Sequence, residues 1–170
     1  MVADECRVQH EPNAVYHWSL KGQTPIIRVN RDKRNHISIY GALSLKSKRV
    51  TSHYCRKQCS EETVKFFEKI KIRKEKLCNK AEADLPILLF LDNARWHKSK
   101  EIRQWLGENP GIVELVNFPP YSPECNPQEK VWRALKKHLA KLRLHECSFD
   151  EVVIEIKSFL KNNKFDYKFI

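Results

Sequence analysis

The sequence has no apolar run long enough to cross a bilayer: its longest, Leu85 to Leu91, spans seven residues, against the roughly 20 that a membrane-spanning helix needs. The start, Met1-Val2-Ala3-Asp4-Glu5-Cys6, has neither the basic residues nor the apolar stretch of a secretory signal. The six cysteines are therefore expected to stay reduced in a cytoplasmic setting. His53, Cys55 and Cys59 lie close together, but no second Cys/His pair stands at zinc-ligand spacing. Repeats and low-complexity linkers are also missing, so the 170 residues are expected to form one domain. Acid is scarce relative to base. The chain has 21 Asp and Glu against 32 Lys and Arg, a net charge of +11. This balance disfavours basic partners and favours a polyanion.

Two hydrophobic periods are present. Ala14–Ser19, Pro25–Val29, His36–Leu45 and Arg49–Tyr54 read as strands, with a turn over Lys21–Pro25 and the last two as a hairpin. A helix is expected from Ser60, its apolar stripe supplied by Val64, Phe66, Phe67 and Ile70. Ile87–Leu91 is uniformly apolar, as for a strand buried on both faces. A short helix over Ser99–Leu106 is expected to stop at Gly107, and a strand to follow over Ile112–Val116. Helices over Pro127–Lys141 and Phe149–Lys161 complete the chain, the second opening with Ser148 and Glu151 at capping-box spacing. Antiparallel strands followed by alternating helix and strand predict an α/β fold, a mixed five-stranded sheet with helices on both faces, in an order that suits a ribonuclease H-like topology.

Three acids stand out. Asp92 directly follows the apolar strand, where side chains gather around the crevice at a sheet's carboxyl edge. Glu129 follows a proline-rich loop and falls three residues after Asn126, so it reads either as a capping partner or as an acid held in place for chemistry. Asp4, with Glu5 beside it, lies near the start of the chain. Together such carboxylates suit phosphodiester chemistry. Two hard cations about 4 Å apart activate a nucleophile and stabilise the leaving oxygen, and Mg²⁺ takes oxygen ligands while keeping several waters. The helix after Glu129 carries Lys130, Arg133, Lys136 and Lys137 largely off its apolar stripe of Val131, Trp132, Leu135, Leu139 and Leu142; Arg95, Lys98 and Lys100 surround Asp92. All seven cations are candidates for DNA phosphates. Trp132 reads as core.

Asp92-Asn93-Ala94-x-x-His97, followed by Pro119-Pro120-Tyr121-Ser122-Pro123-Glu124-x-Asn126-Pro127-x-Glu129-x-x-Trp132, resembles the DDE endonuclease domain of mariner-like transposases, in particular their bacterial insertion-sequence relatives. Trp18-Ser19-x-Lys21-Gly22-Gln23-x-Pro25 and Gly41-Ala42-Leu43 are similar to the same branch. The resemblance implies a ribonuclease H-like catalytic domain that cleaves and joins DNA with Mg²⁺, for which Mn²⁺ substitutes. It makes Asp4, Asp92 and Glu129 the catalytic and metal-binding acids, the last two separated by 37 positions, with Asn93 and His97 in support. It further implies double-stranded DNA as partner (element ends and a TA-containing target), a homo-oligomer when active and a nucleoid-associated location. The family's helix-turn-helix segment has no counterpart here, so reading of the element ends is expected from another segment or chain. With only three residues before Asp4, the first strand is expected to be short. A non-catalytic DNA-binding relic, or a split-frame fragment, is the alternative.

Overall fold

The computed structural model describes residues 1–10, 20–23, 35–77, 85–119, 125–142 and 147–167. Five strands, β1 (Val2–Gln9), β2 (His36–Leu43), β3 (Val50–Cys55), β4 (Ile87–Leu91) and β5 (Val113–Asn117), form one sheet in the order β3-β2-β1-β4-β5. The first three pair antiparallel and β1-β4-β5 pair parallel. Among the described residues, the helices α1 (Ser60–Leu77), α2 (Lys100–Glu108), α3 (Pro127–Lys141) and α4 (Phe149–Asn162) pack on it. The fold is ribonuclease H-like, with helices on both faces of a mixed sheet.

Period-two alternation on β1 and β2 divides the core. Cys6, Val8, Ile37, Ile39 and Leu43 face α3 and α4, meeting Val131, Trp132, Leu135, Leu139, Val152, Ile156 and Leu160. Ala3, Tyr40 and Ala42 face the other way, with Phe66, Phe67 and Ile70 of α1 and Ile102 and Trp105 of α2. Asp4 and Glu5, adjacent on β1, therefore project to opposite faces.

Several sequence expectations need correction. The first strand is not short: β1 pairs with β2 along eight residues, from Val2 opposite Leu43 to Gln9 opposite His36, and continues well past Asp4. The adjacent acids Asp4 and Glu5 break the pattern, and clean alternation is left only over Cys6-Arg7-Val8-Gln9. β4 is buried on one face only, Leu88 remaining 47% exposed, because α3 and α4 cover β1–β3 instead. α2 runs through Gly107 and ends at Asn109, whose backbone N–H and side-chain amide both donate to the Trp105 carbonyl. A solvent-facing glycine costs a helix only about 1 kcal/mol. At α1, Thr63 N–H donates to the Cys59 carbonyl, so Cys59 takes the cap position and Ser60, expected to cap the helix, is its first residue.

The hairpin, both later helices and the Ser148–Glu151 capping box follow the expected pattern. The turn at Lys21 is present over Leu20–Gln23, where Gly22 takes φ +87°. Ala14–Ser19 and Pro25–Val29 lie outside the described residues. Among the described residues, no helix is long and apolar enough to cross a membrane.

Candidate active site

β1 enters the site in the middle of the sheet. Val2 pairs in parallel register with Phe90 of β4. Asp92 directly follows the end of β4, the strand next to the one that carries Asp4.

The Asp4 carboxylate faces α3. Its Oδ2 accepts a hydrogen bond from Trp132 Nε1 at 3.0 Å. That approach depends on Gly41, the cross-strand partner of Asp4. A Cβ there would lie 2.5 Å and 2.8 Å from ring carbons of Trp132 and 2.7 Å from Gln128 Nε2. Trp132 is thus core, at 2% exposure, while its one polar atom serves the acid. Burial, followed by the like charges of Glu129 and Glu5, pushes the Asp4 pKa up to about 7; bonds from the Glu5 backbone and Trp132 act the other way. Asp4 and Glu129 therefore share a site electrostatically.

Glu129 takes its place from the start of α3. Asn126 is the N-cap, its side chain accepting from Gln128 N at 2.9 Å, and Pro127 occupies the first turn. The reciprocal capping box occurs at α4, between Ser148 and Glu151, whereas Glu129 adds its charge to the surroundings of Asp4. Gln128 is fully buried, and neither amide atom has a partner among the described residues.

Asp92 leaves the end of β4 with its side chain 55% exposed. Its Oδ1 accepts from Ala94 N at 2.9 Å, a local turn, and lies 3.2 Å from His97 Nδ1. His97 Nε2 bonds Glu5 Oε1 at 3.0 Å. Buried His97 thus bridges two acids. Burial alone would lower its pKa, but the bond to Glu5 and the charges of Glu5 and Asp92 outweigh that, and the net shift is upward. Trp96 Nε1 also donates to Glu5 Oε1, at 3.4 Å. Asn93 ties the corner together, its amide nitrogen donating to the Phe118 carbonyl at 3.0 Å and its Oδ1 accepting from Lys98 Nζ at 3.3 Å.

Two overlapping groupings result. Asp4 is bonded to α3, the helix that carries Glu129, and Asp92 follows the end of β4, the strand next to β1. Among the described residues, however, the potential ligand atoms that fall within 4.8 Å of one another belong to Glu5, Asp92 and His97. The Asp92 carboxylate is turned toward His97. Sequence reasoning passed over Glu5, although a Glu beside a candidate Asp on a strand must face the opposite side of the sheet. Of the cations singled out, Lys98, Lys100, Arg133, Lys136 and Lys137 are exposed and Lys130 is half-buried. Arg95 opens a 3₁₀ turn, Arg95–Lys98.

The DDE superfamily endonuclease model matches residues 1–150. The chain belongs to this superfamily. It is 30% identical over 146 residues to the insertion element IS630 39 kDa protein of Shigella sonnei, an alignment covering 85% of this chain and 39% of that protein. The Mos1 strand transfer complex shares the fold, with a TM-score of 0.72 at 15% identity over 96% of this chain and 47% of that one. So does the mariner Mos1 paired-end complex with Mg, at TM-score 0.69 and 14% identity, over 98% of this chain and 49% of that one. The chain spans less than half the length of these relatives. At such identities the Mos1 structures speak for the fold alone, and the insertion-element relationship comes from the sequence.

Proposed function

We propose that this domain is the catalytic part of a transposase that cleaves DNA strands at the ends of a mobile element and joins them to a target, using Mg²⁺ or Mn²⁺ held by Asp4, Asp92 and Glu129. One observation carries the reading. Asp4, half-buried and bonded at 3.0 Å by Trp132 N–H of α3, feels the like charge of Glu129 and Glu5, and its pKa is pushed up to about 7. Clustered acids under that strain suit a hard divalent ion, whose charge would relieve them. The donor set is oxygen, and the Gln128 amide beside Gly41, without a partner among the described residues, supplies a further polar group for an ion that keeps its waters. The bound ion would supply charge stabilisation at the reacting phosphate.

The protein's own residues do the rest. Trp132 and Gly41 fix Asp4. The rigid start of α3 fixes Glu129. His97, with both ring nitrogens engaged, acts as the strut that holds Asp92 against Glu5 rather than as a ligand. Asn93 braces the same corner. Exposed Arg133, Lys136 and Lys137, with Lys130, Lys98, Lys100 and Arg95, take double-stranded DNA by its phosphates. Recognition of element ends, a TA-containing target and pairing of two ends in a homo-oligomer belong to the assembled transposase, in which a helix-turn-helix segment reads the sequence.

The test is cleavage of a labelled duplex bearing element ends. Activity is expected with Mg²⁺ or Mn²⁺ and not with Ca²⁺. Asp92→Asn should abolish it while DNA binding persists. Cleavage retained by Asp92→Asn would overturn the assignment, and a wild-type chain that binds DNA but no metal would mark a relic.

A further inference from the structure

On the α1 face of the sheet, beyond Glu5, lies a cleft of about 510 Å³ that the acid site does not include. We propose that it holds backbone phosphates of the DNA strand, as a second clamp separate from the basic face of α3; the substrate class rests on the function proposed above.

The lining is cationic. Arg7 comes from β1, and Arg56 and Lys57 from the connection between β3 and α1, with no carboxylate among the lining residues. Arg7 sits two residues beyond Glu5 and projects to the same side, about 7 Å along the strand. Arg7, Arg56 and Lys57 are all exposed, so their charges are available to a ligand.

The cleft is also held in shape. His36 Nε2 donates to the Arg56 carbonyl at 3.0 Å, and Ser38 Oγ donates to the same oxygen at 3.5 Å. Two side chains of β2 thus fix the backbone that carries the cations. The far wall is Trp96, whose indole N–H bonds Glu5, the carboxylate that also holds His97. The cleft and the acid corner therefore share one anchor, and a strand crossing Asp92 would continue onto Trp96 and then the three cations. An indole face offers a sugar or base an apolar surface without demanding a sequence.

The decisive quantity is the salt dependence of binding. Each phosphate contact contributes roughly 0.9 to the slope of log affinity against log salt on duplex DNA. The probe is a fluorescein-labelled duplex of arbitrary sequence, titrated by anisotropy at several salt concentrations with the intact 170-residue chain. Arg56→Gln with Lys57→Gln is expected to lower the slope by about 2, and Arg7→Gln by about 1 more. Lys161→Gln with Lys164→Gln, at the end of α4 and outside the cleft, should leave it unchanged. Melting temperatures of all variants confirm folding.

An unchanged slope in the cleft variants overturns the clamp. So does an equal fall in the α4 pair, which would reduce the effect to net charge, or a wild-type chain that binds no DNA. A protein that cleaves with an unmoved slope loses the clamp and keeps the catalytic reading. One whose slope falls but which never cleaves keeps the clamp and loses that reading.

Discussion

Trp132 Nε1 reaches Asp4 Oδ2 at 3.0 Å across 128 positions of sequence, joining the centre of the sheet to the first turns of α3. The indole is a donor only, so the bond favours the charged carboxylate that a cation requires. Trp132→Phe keeps most of the packing and removes the donor. It is expected to weaken Mn²⁺ binding by about 10–100-fold, the usual effect of losing a partner that orients a metal ligand. Calorimetric titration checks this; unchanged affinity would reduce Trp132 to core.

Gly41 makes that approach possible. Gly41→Ala sets a methyl against the Trp132 ring and the Gln128 amide, both buried. A loss of roughly 1–3 kcal/mol is expected in urea unfolding, together with slower cleavage, because displacing α3 displaces Glu129. Wild-type stability in the variant would show that α3 yields freely.

The raised pKa of Asp4 makes a signed prediction for the metal-free protein. The folded state holds this proton up to about pH 7, whereas the ordinary value is 3.8. The contribution is therefore intact below about pH 4, falls as pH rises to about 7, and is flat above that. Asp4→Asn retains an acceptor for Trp132 and removes the decline. The variant should exceed wild type at pH 8 by on the order of 2–4 kcal/mol, measured by urea unfolding with chelator, and lose that advantage at about pH 4. Mn²⁺ should then stabilise wild type and leave Asp4→Asn unmoved.

His97 spans Asp92 and Glu5 at 3.2 Å and 3.0 Å. If it is a strut, His97→Ala should lower kcat about 10–100-fold with little change in DNA affinity, and Glu5→Gln should do the same more weakly. Equal losses in DNA affinity would point instead to collapse of the corner.

Much of this was legible in the chain. Asp92 follows an apolar strand, Asn126-Pro127 announces a helix start, and Ser148-x-x-Glu151 announces another, because caps and strand ends are local chemistry. β1 was not legible as a full strand, since its alternation is clean only over Cys6-Arg7-Val8-Gln9 and Asp4 interrupts the face that Cys6 and Val8 keep apolar. The uncovered side of β4 depends on where α3 and α4 dock, which no local pattern states. The double role of Trp132 was hidden for the same reason. Its spacing marks core, and only the packed sheet brings its N–H to Asp4. Glu5 was the residue within reach: strand alternation alone separates it from Asp4 and sends it to the side where His97 waits.

The central claim is that Asp4, Asp92 and Glu129 share divalent ions. Mn²⁺ titration of wild type, Asp4→Asn, Asp92→Asn, Glu129→Gln and Glu5→Gln tests it most directly. The account predicts a loss of affinity of at least about tenfold in each of the first three variants and a smaller one in Glu5→Gln. Affinity that survives Asp4→Asn and Glu129→Gln but vanishes with Glu5→Gln would place the ion with Glu5, Asp92 and His97, and contradict it.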